Sequence, residues 1–521
     1  MKKLAVLILS VLMILPLFTL NCSAAAWDGK TASSSLKGSG TAEAPYLVES
    51  AEDLAFLAAS VNAGTTYEGK YIRQTADIDL GGKEWTPIGI CSEDSKKCVP
   101  FSGVYDGDDH KVTGLKITKA LTVDSGLFGY VLSTKKTSAG VANLNVSGEI
   151  RISAPRSVGI GGIIGRISLE ADVGLAETYV INCVSDVNIT LTSCQNQPRV
   201  GGVIGYANLS TVENVVNNGD ITVNTSATSR VAGIFGEITA STARYCVNNG
   251  NIIGINTAGN AQYGGIAGMS VYWPNKSERQ LVFDTCINNG DVSSTLTTGK
   301  CYTGGIVSGF YSDDKKAMNV YVYNCVNTGA IYSKATSGSS YYPYTGGIYS
   351  YASLPKIVIE RCLNIGEITS IGGLDSRPGG IISVMNSPND KSLYCKDCLS
   401  TDALSAYIVN PIDGCVDMAD PVLVEAAVRS AIDSITFSYI DINGFDTSRS
   451  YPDAPIEEFT VKVEEKPNVS VNLSAGAQDS VTDEDPEKAD SLKIVAIVAL
   501  SISAACSVGI VAARVVRRRK K

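Results

Sequence analysis

Short apolar segments separated by glycine and asparagine follow one another along residues 126–400. One recurring block reads Gly-Gly-apolar-apolar-Gly, and a second reads apolar-Asn-x-Gly before a short run such as "DITV" or "EITS". Neither block has a sustained 3.6-residue period, and short β-rich runs between turn-forming residues are typical of strands and tight turns. The pattern therefore predicts a strand region rather than a helical one.

The two blocks repeat at intervals that define units of the chain. The first block begins at residues 161, 201, 232, 264, 304, 346 and 379, so successive starts lie 31 to 42 residues apart. The second block is "NVVNNGDI", "YCVNNGNI", "TCINNGDV", "NCVNTGAI" and "RCLNIGEI". One unit cannot bury its own apolar face, but stacked units can. We predict an all-β fold, a right-handed parallel β-helix or related β-solenoid of about eight to ten coils, about 40–50 Å long.

Both ends of this predicted rod need covers, because end strands expose unpaired edges. Near the N-terminus, Ser50 is placed to N-cap a helix over Ala51–Asn62, with Glu52 and Asp53 in its first turn. "YLV" before this helix and "KYIRQTADIDL" after it read as strands. At the far end, residues 420–432 have helical spacing and predict a second capping helix.

The repeats resemble those of a known family. Segments such as "GGIIG" followed by "NCVNTGAI" look like the GLUG-motif repeats of bacterial cell-surface proteins, and "WTPIG" and "FSGVYDGDDHKVTGLKI" are similar to the segment that often precedes them. The resemblance covers residues 38–400 and implies the solenoid architecture but little about activity. GLUG repeats accompany some IgA-cleaving metallopeptidases and many adhesins, yet this chain lacks the metallopeptidase HExxH motif.

The termini predict an exported, single-pass membrane protein. Residues 1–26 combine a basic start, an apolar run and small residues, as a signal peptide does. Residues 494–513 carry no charge and are long enough to cross about 30 Å of hydrocarbon. The "RVVRRRKK" that follows predicts a cytoplasmic C-terminus, with the N-terminal bulk extracellular (type I).

These signals divide the chain into seven parts. They are a signal peptide over 1–26, an N-terminal cap with the first coils over 27–120, the repeats over 121–400, a C-terminal cap over 401–450, an acidic stalk over 451–491, a transmembrane helix over 492–514 and a basic tail over 515–521. The stalk reads as solvated and extended, because it is acidic and poor in large apolar residues.

Composition and charge narrow the possible chemistry. The formal net charge is −9, and no basic patch outside the tail suggests nucleic acid. The single histidine, His110, argues against a Ser-His-Asp triad or a His-rich zinc site. Asp106, Asp108 and Asp109 read either as a calcium site or, in preference, as a turn. We predict no catalytic residue, no metal and no cofactor.

Acidic residues in the repeats leave an enzyme as an alternative. A glycosidase needs two carboxylates about 5–9.5 Å apart, which neighbouring coils of a β-helix can supply. Asp220, Asp291 and Glu367 share one slot after the turn glycine, but Asn251 and Ala330 fill that slot in other units. This interchange with neutral residues favours a solvated turn over a catalytic pair.

A cysteine recurs just before the Asn-x-Gly turn. The slot exchanges cysteine for Leu144 or Val215, as an apolar core position does. Sulfurs in a line about 4.8 Å apart cannot converge on zinc, so we predict mostly free, buried thiols, with disulfides between neighbours as the alternative. Cys91 and Cys98, which bracket a polar insert, are the better disulfide candidates. The slot residues are Cys183, Cys246, Cys286, Cys325, Cys362 and Cys398.

The turn asparagine predicts a second ladder along the rod. Stacked asparagines hydrogen-bond from coil to coil, and the glycine two residues further on suits a left-handed backbone position. An apolar residue follows each cysteine, so the sequence leaves open which of the two points inward. The ladder asparagines are Asn217, Asn248, Asn288, Asn327 and Asn364.

Ten tyrosines fall within residues 302–351. A tyrosine ring with its polar tip suits contacts with sugars or proteins, whereas strand tyrosines also stack along a rod without binding anything. We interpret Tyr321, Tyr323 and Tyr332 as structural. The candidate ligand-binding residues lie in the loop-like segment "SSYYPYTGG" and are Tyr341, Tyr342 and Tyr344.

Together these expectations describe a membrane-anchored bacterial surface protein. The stalk lifts a rigid solenoid from the membrane, and the solenoid binds glycans or proteins of host or neighbouring cells by multipoint contact, as adhesins do. The alternatives are a carbohydrate-active enzyme, either a β-helix lyase or a glycosidase, and a structural spacer without a ligand.

Overall fold

The computed structural model describes residues 26–91, 98–119, 124–153, 159–170, 177–194, 196–271, 280–311, 319–336, 343–352, 357–372, 377–385, 393–396 and 398–400. Within these residues, nearly all regular structure is β-strand, and three parallel sheets run side by side along one rod. The predicted parallel β-helix is therefore confirmed.

The widest sheet, sheet 1, is built from up to three consecutive strands per coil. Over the described residues its strands are Tyr46–Val48, Tyr71–Gln74, Ile78–Asp79, Val104–Asp106, Lys111–Ile117, Ala139–Ser153, Thr178–Cys194, Ser210–Asn217, Ile221–Thr225, Thr242–Arg244, Val247–Asn248, Ile252–Asn256, Leu281–Asp284, Ile287–Asn288, Val292–Leu296, Val320–Tyr323, Val326–Asn327, Ile331–Ala335, Ile357–Glu360, Leu363–Asn364, Ile368–Ile371, Leu393–Lys396 and Leu399–Ser400.

Two narrower sheets hold one strand per coil, eight each in the part of the chain that the structure describes, which agrees with the predicted number of coils. Sheet 2 contains Asp124–Ser125, Gly159–Gly161, Arg199–Gly201, Ser229–Ala232, Ala261–Gly264, Cys301–Gly304, Pro343–Gly346 and Arg377–Gly379. Sheet 3 contains Phe128–Ser133, Ile164–Leu169, Ile204–Asn208, Phe235–Thr239, Ala267–Val271, Val307–Tyr311, Tyr349–Ala352 and Ile382–Met385.

Each coil visits the sheets in the same order. The coil that begins at Ala261 passes through sheet 2, turns at a Gly-Gly pair into sheet 3, and then forms the three sheet 1 strands that end at Leu296. Its strands pair in parallel with those of the next coil, for example Ala261 with Cys301 and Val292 with Ile331. The Gly-Gly block therefore forms the corner between sheets 2 and 3. The Asn-x-Gly block forms the corner between consecutive strands of sheet 1.

These two corners pack against each other across the interior. The side chain of Asn288 lies against Gly265 so closely that a Cβ on this glycine would overlap it, and the same contact joins Gly305 to Asn327. The second glycine of the pair is required because the asparagine occupies the space that a side chain would need. Around this contact the core is filled by aliphatic and aromatic residues such as Ile266 and Phe283.

The N-terminal helix spans Ala51–Asn62, as predicted, and Ser50 accepts a hydrogen bond from the amide of Asp53 at 3.3 Å. Its buried residues, among them Leu54 and Leu57, join the same apolar cluster as the coils. The helix therefore adds to the core near the N-terminal strands, and its role as a cap stays a prediction.

Several predicted segments lie outside the described residues. They are residues 1–25 of the signal peptide, the C-terminal cap at 401–450 with its helix, the acidic stalk, the transmembrane helix at 492–514 and the basic tail. None of the helices in the described ranges is both long and apolar enough to cross a bilayer.

Candidate functional site

The turn asparagines form a continuous buried ladder inside the sheet 1 corner. The amide of Asn248 donates to Asn288 Oδ1 at 2.8 Å, and that of Asn288 donates to Asn327 Oδ1 at 2.7 Å. Each side chain also donates to the carbonyl of the glycine two residues ahead, as Asn288 does to Gly290 at 2.8 Å. The ladder runs from Asn217 through Asn364, which donates to Ser400 Oγ at 3.1 Å.

The left-handed residue at this corner is not the glycine that the sequence reasoning chose. The glycines that follow the five ladder asparagines, Gly290 among them, are absent from the described residues with positive φ, whereas the residue before each cysteine has φ near +54°, as at Tyr245 and Thr285. The prediction of a left-handed glycine was wrong, because the chain bends before the cysteine rather than after the asparagine. Glycine is needed instead for close approach, since a Cβ on Gly290 would overlap the carbonyl oxygen of Gly250.

The cysteine slot lies directly beneath this bend, and its side chains point inward. Strand pairing aligns Leu144 with Cys183 and Cys183 with Val215, which is the alignment that the repeats predict. The slot residues belong to the apolar core, whereas the following residue, such as Val247, does not. The sequence left open whether the cysteine or the residue after it points into the core, and in the structure it is the cysteine.

The thiols of the slot are held by backbone carbonyls of the same and the preceding coil. Cys325 Sγ contacts the carbonyl oxygens of Tyr323 at 3.1 Å and Phe283 at 3.8 Å. Burial raises the pKa of the Cys183 thiol to about 12, and it also raises the pKa of Cys325 and Cys362. Cys183, Cys325 and Cys362 therefore lack the thiolate character that nucleophilic or redox chemistry requires. Burial would raise the pKa of Cys286 as well, but its neighbours Cys246 and Cys325 lower it to about 5.

Cys91 and Cys98 are joined by a disulfide. They face each other across a small antiparallel pair formed by Ile90–Cys91 and Cys98–Val99. The bond closes the base of the polar insert beside Phe128–Ser133, the first strand of sheet 3, since Gly89 and Phe101 on either side of the insert both hydrogen-bond to Tyr130.

The acidic residues considered as calcium ligands or catalysts have structural partners. Asp106 pairs with Arg73 at 3.1 Å and accepts from Asn143 at 3.0 Å, while Asp291 Oδ1 accepts from the amide of Ala330 in the next coil at 2.9 Å. In the described ranges, no group of three or more His, Cys, Asp or Glu side chains is arranged to hold a metal ion.

The candidate tyrosines separate into two sets. Tyr341 and Tyr342 lie outside the described residues. Tyr344 is on a strand of sheet 2 rather than in a loop, because the strand Pro343–Gly346 takes up the end of the segment that looked loop-like. Its ring stacks on Tyr302 with centroids 5.2 Å apart, and Tyr351 of sheet 3 contacts both rings at 5.1 and 5.4 Å.

This tyrosine cluster belongs to a longer feature, which we call the outer groove. Outward-facing residues of sheets 2 and 3 contact each other across the corner between the sheets, although none belongs to the interior core. The contacts show that the corner is concave. The sheet 2 row is Asp124, Gly159, Arg199, Arg230, Gln262, Tyr302 and Tyr344, and the sheet 3 row is Tyr130, Arg166, Tyr206, Glu237, Met269, Gly309 and Tyr351.

The N-terminal half of the outer groove is ionic. Arg199 and Arg230 are register partners on adjacent strands, and Glu237 accepts from both at 2.5 and 2.6 Å. The carboxylate offsets the repulsion between two like charges placed side by side. Burial raises the pKa of Asp124, at the end of the same row, to about 6, although Arg166 and Arg199 oppose the shift.

The other half is aromatic and uncharged. Burial raises the pKa of Tyr302 in this half, and in the ionic half it raises that of Tyr206 to about 12, so both phenols remain neutral hydrogen-bonding groups at physiological pH. Sequence reasoning missed the groove, apart from Tyr344. A signal was present, because arginine, tyrosine or glutamate repeatedly flanks the Gly-Gly block, as in "RVGGVIGY" and "RVAGIFGE".

Comparisons with known proteins match parts of this chain. No family model matches it. Over 208 residues it is 30% identical to Halomucin of Haloquadratum walsbyi, and over 141 residues it is 31% identical to a "Putative Gly-rich membrane protein" of Evansella cellulosilytica. These matches cover 38% and 26% of this chain but 2% and 15% of the relatives, so the chain spans a small part of their length.

A solved structure is also similar. It is titled as a "putative immunoglobulin A1 protease" from Bacteroides ovatus and is 17% identical, with a TM-score of 0.39. The match covers 58% of this chain and 87% of that one.

Proposed function

We propose that this protein is a membrane-anchored surface protein whose β-solenoid binds glycans or proteins of host or neighbouring cells. The observation that carries the proposal is the cluster of Tyr302, Tyr344 and Tyr351 in the outer groove. Tyr344 and Tyr351 keep part of their surface exposed although all three rings pack together outside the core. Such rings are already ordered before a ligand arrives, which lowers the entropic cost of binding.

The setting supports the same proposal. One relative is named as a membrane protein, and the termini carry the sequence signals of export and anchoring. A rigid rod that holds one groove along several coils offers repeated contacts to a long ligand, so that weak individual contacts add up. Resemblance to GLUG-repeat proteins is consistent with adhesion.

The test is a glycan and protein array probed with the purified full-length chain. We expect Tyr344→Ala to weaken binding of the best ligand by about tenfold, because it removes a stacking surface and loosens its two neighbours. Tyr332→Ala is the matched control, since Tyr332 lies on the outer face of sheet 1, away from the groove.

Other outcomes identify the alternatives. Release of shortened polysaccharide products would indicate a carbohydrate-active enzyme instead. Absence of any ligand on the array would favour a spacer. Equal losses in Tyr344→Ala and Tyr332→Ala would move the binding site out of the groove.

A further inference from the structure

The least explained side chain of the outer groove is Arg166. Its guanidinium carbon lies 4.8 Å from the ring centre of Tyr130 and 5.7 Å from that of Tyr206, one coil on either side. Its Nε is buried and has no hydrogen-bond partner among the described residues. A guanidinium carries five N–H donors, and at least the Nε–H of Arg166 is a donor that no described residue accepts from.

The neighbouring arginines do not share this condition. Glu237 pairs with both Arg199 and Arg230, which accounts for two of the three cations in the groove. Among the residues that the structure describes, three arginines of the groove face the two acids Asp124 and Glu237, an excess of one positive charge in a chain whose net charge is −9. A positive strip on an acidic protein favours an anionic partner.

The aromatic and ionic halves lie on one line along the rod. Five coil steps separate the coil of Arg166 from that of Tyr344, following the pairings through Arg199, Arg230, Gln262 and Tyr302. At about 4.8 Å per step, the two ends are about 24 Å apart, which is the reach of an oligosaccharide of several sugars.

We propose that the outer groove binds an acidic glycan lengthwise, with Arg166 pairing a carboxylate or sulfate of the sugar chain while the cluster of Tyr302, Tyr344 and Tyr351 stacks a sugar ring further along. This inference rests on the proposed function and adds the charge class of the ligand. Arginine suits the task because its planar fork matches both anions, and the flanking tyrosine rings fix its orientation.

The experiment measures binding of the full-length chain to galacturonic-acid oligomers of increasing length and to the same oligomers after their carboxyls are reduced to alcohols. We expect the longer acidic oligomers to bind about tenfold more tightly than their neutral counterparts, with the difference shrinking at high ionic strength. A sulfated octasaccharide serves as a separate arm, which tells whether the site prefers sulfate to carboxylate.

Variants assign the preference to the groove. Arg166→Gln should bring the affinity for acidic oligomers close to that for neutral ones and leave neutral binding unchanged, while Arg166→Lys should retain part of the preference. Arg151→Gln is the matched control, because Arg151 is exposed on sheet 1 and its ion pair within the described part of the chain is with Glu149. Circular dichroism of each variant confirms that the β-helix is retained.

The outcomes separate this inference from the proposed function. Tyr344-dependent binding with no preference for acidic oligomers would overturn the acidic-glycan site and keep the surface-binding function. A preference that Arg166→Gln leaves intact would also overturn it. Equally tight binding of a poly-glutamate peptide would mean a general polyanion site, and binding of no oligomer would remove the glycan as the ligand.

Discussion

The asparagine ladder of the sheet 1 corner and the outer groove are built by the same device, an in-register row of side chains repeated coil after coil. In the corner every unit carries the same amide, which donates to one neighbour and accepts from the other, as Asn248, Asn288 and Asn327 do. In the groove the residue type changes along the row, from Arg199 and Arg230 to Gln262 and Tyr302.

The asparagine ladder and the outer groove therefore differ in whether their side chains are already satisfied within the rod. A row of identical amides satisfies itself and has nothing left for a ligand, whereas a row of varied residues leaves groups such as Arg166 with unused donors. Repetition marks the parts of the rod that hold it together, and variation within the repeat marks the parts that we propose meet other molecules.

The largest expected effect is at the buried ladder. Asn288→Ala should lower the free energy of unfolding by about 3 kcal/mol, because it leaves the Asn248 amide, the Asn327 carbonyl oxygen and the Gly290 carbonyl without their partner. Urea unfolding followed by circular dichroism measures the change. Asn289→Ala is the control, since this neighbour is half-buried and belongs to an outer row, and it should cost about 1 kcal/mol or less. Similar losses at both positions would contradict the distinction.

A smaller effect, of opposite sign, is expected in the groove. The pKa of Asp124 is about 6 in the folded chain, above its usual 3.8, so the folded state binds the proton more tightly than the unfolded state. Below about pH 4 Asp124 is protonated in both states and does not reduce the free energy of unfolding. As the pH rises through 4 to 6, the unfolded state ionises more readily than the folded state, so the free energy of unfolding falls. Asp124→Asn should stabilise the protein by about 2 kcal/mol at pH 7.

The same variant should leave stability at pH 4 almost unchanged. Urea unfolding at the two pH values measures both numbers. An equal gain in the free energy of unfolding at both pH values would show that the effect is not electrostatic. Ionisation of Asp124 would then not destabilise the folded protein at neutral pH.

The smallest effect is expected in the cysteine slot. Cys286→Val should change the free energy of unfolding by less than about 1 kcal/mol, because Val215 occupies the same slot in another coil and the thiol acts mainly as an apolar group. Cys286→Ser should cost about 1–3 kcal/mol, since it buries a more polar group in the same apolar surroundings. If valine costs as much as serine, the stacked thiols contribute more than packing.

The features that could be predicted from sequence are those that repetition or a local capping pattern encodes. The alignment of Leu144, Cys183 and Val215, the bounds of the helix Ala51–Asn62 and the number of coils follow from local pattern and spacing. The outer groove does not follow, because contacts such as Arg230 with Glu237 depend on the angle at which two sheets meet. The left-handed position was missed for a related reason, since Asn, Tyr, Thr and Arg all occupy it and no residue type marks it.

The contact between Gly265 and Asn288 has a consequence for how such a rod changes its length. Both residues lie within one repeat unit, as do Gly305 and Asn327, so each unit brings its own matched pair. A duplicated or deleted unit keeps the internal fit of every coil that remains, and only the pairing with its two neighbours has to be renewed. Gene-level gain or loss of whole units would thus lengthen or shorten the reach of the protein without redesigning its interior, while a change confined to half a unit would break the match.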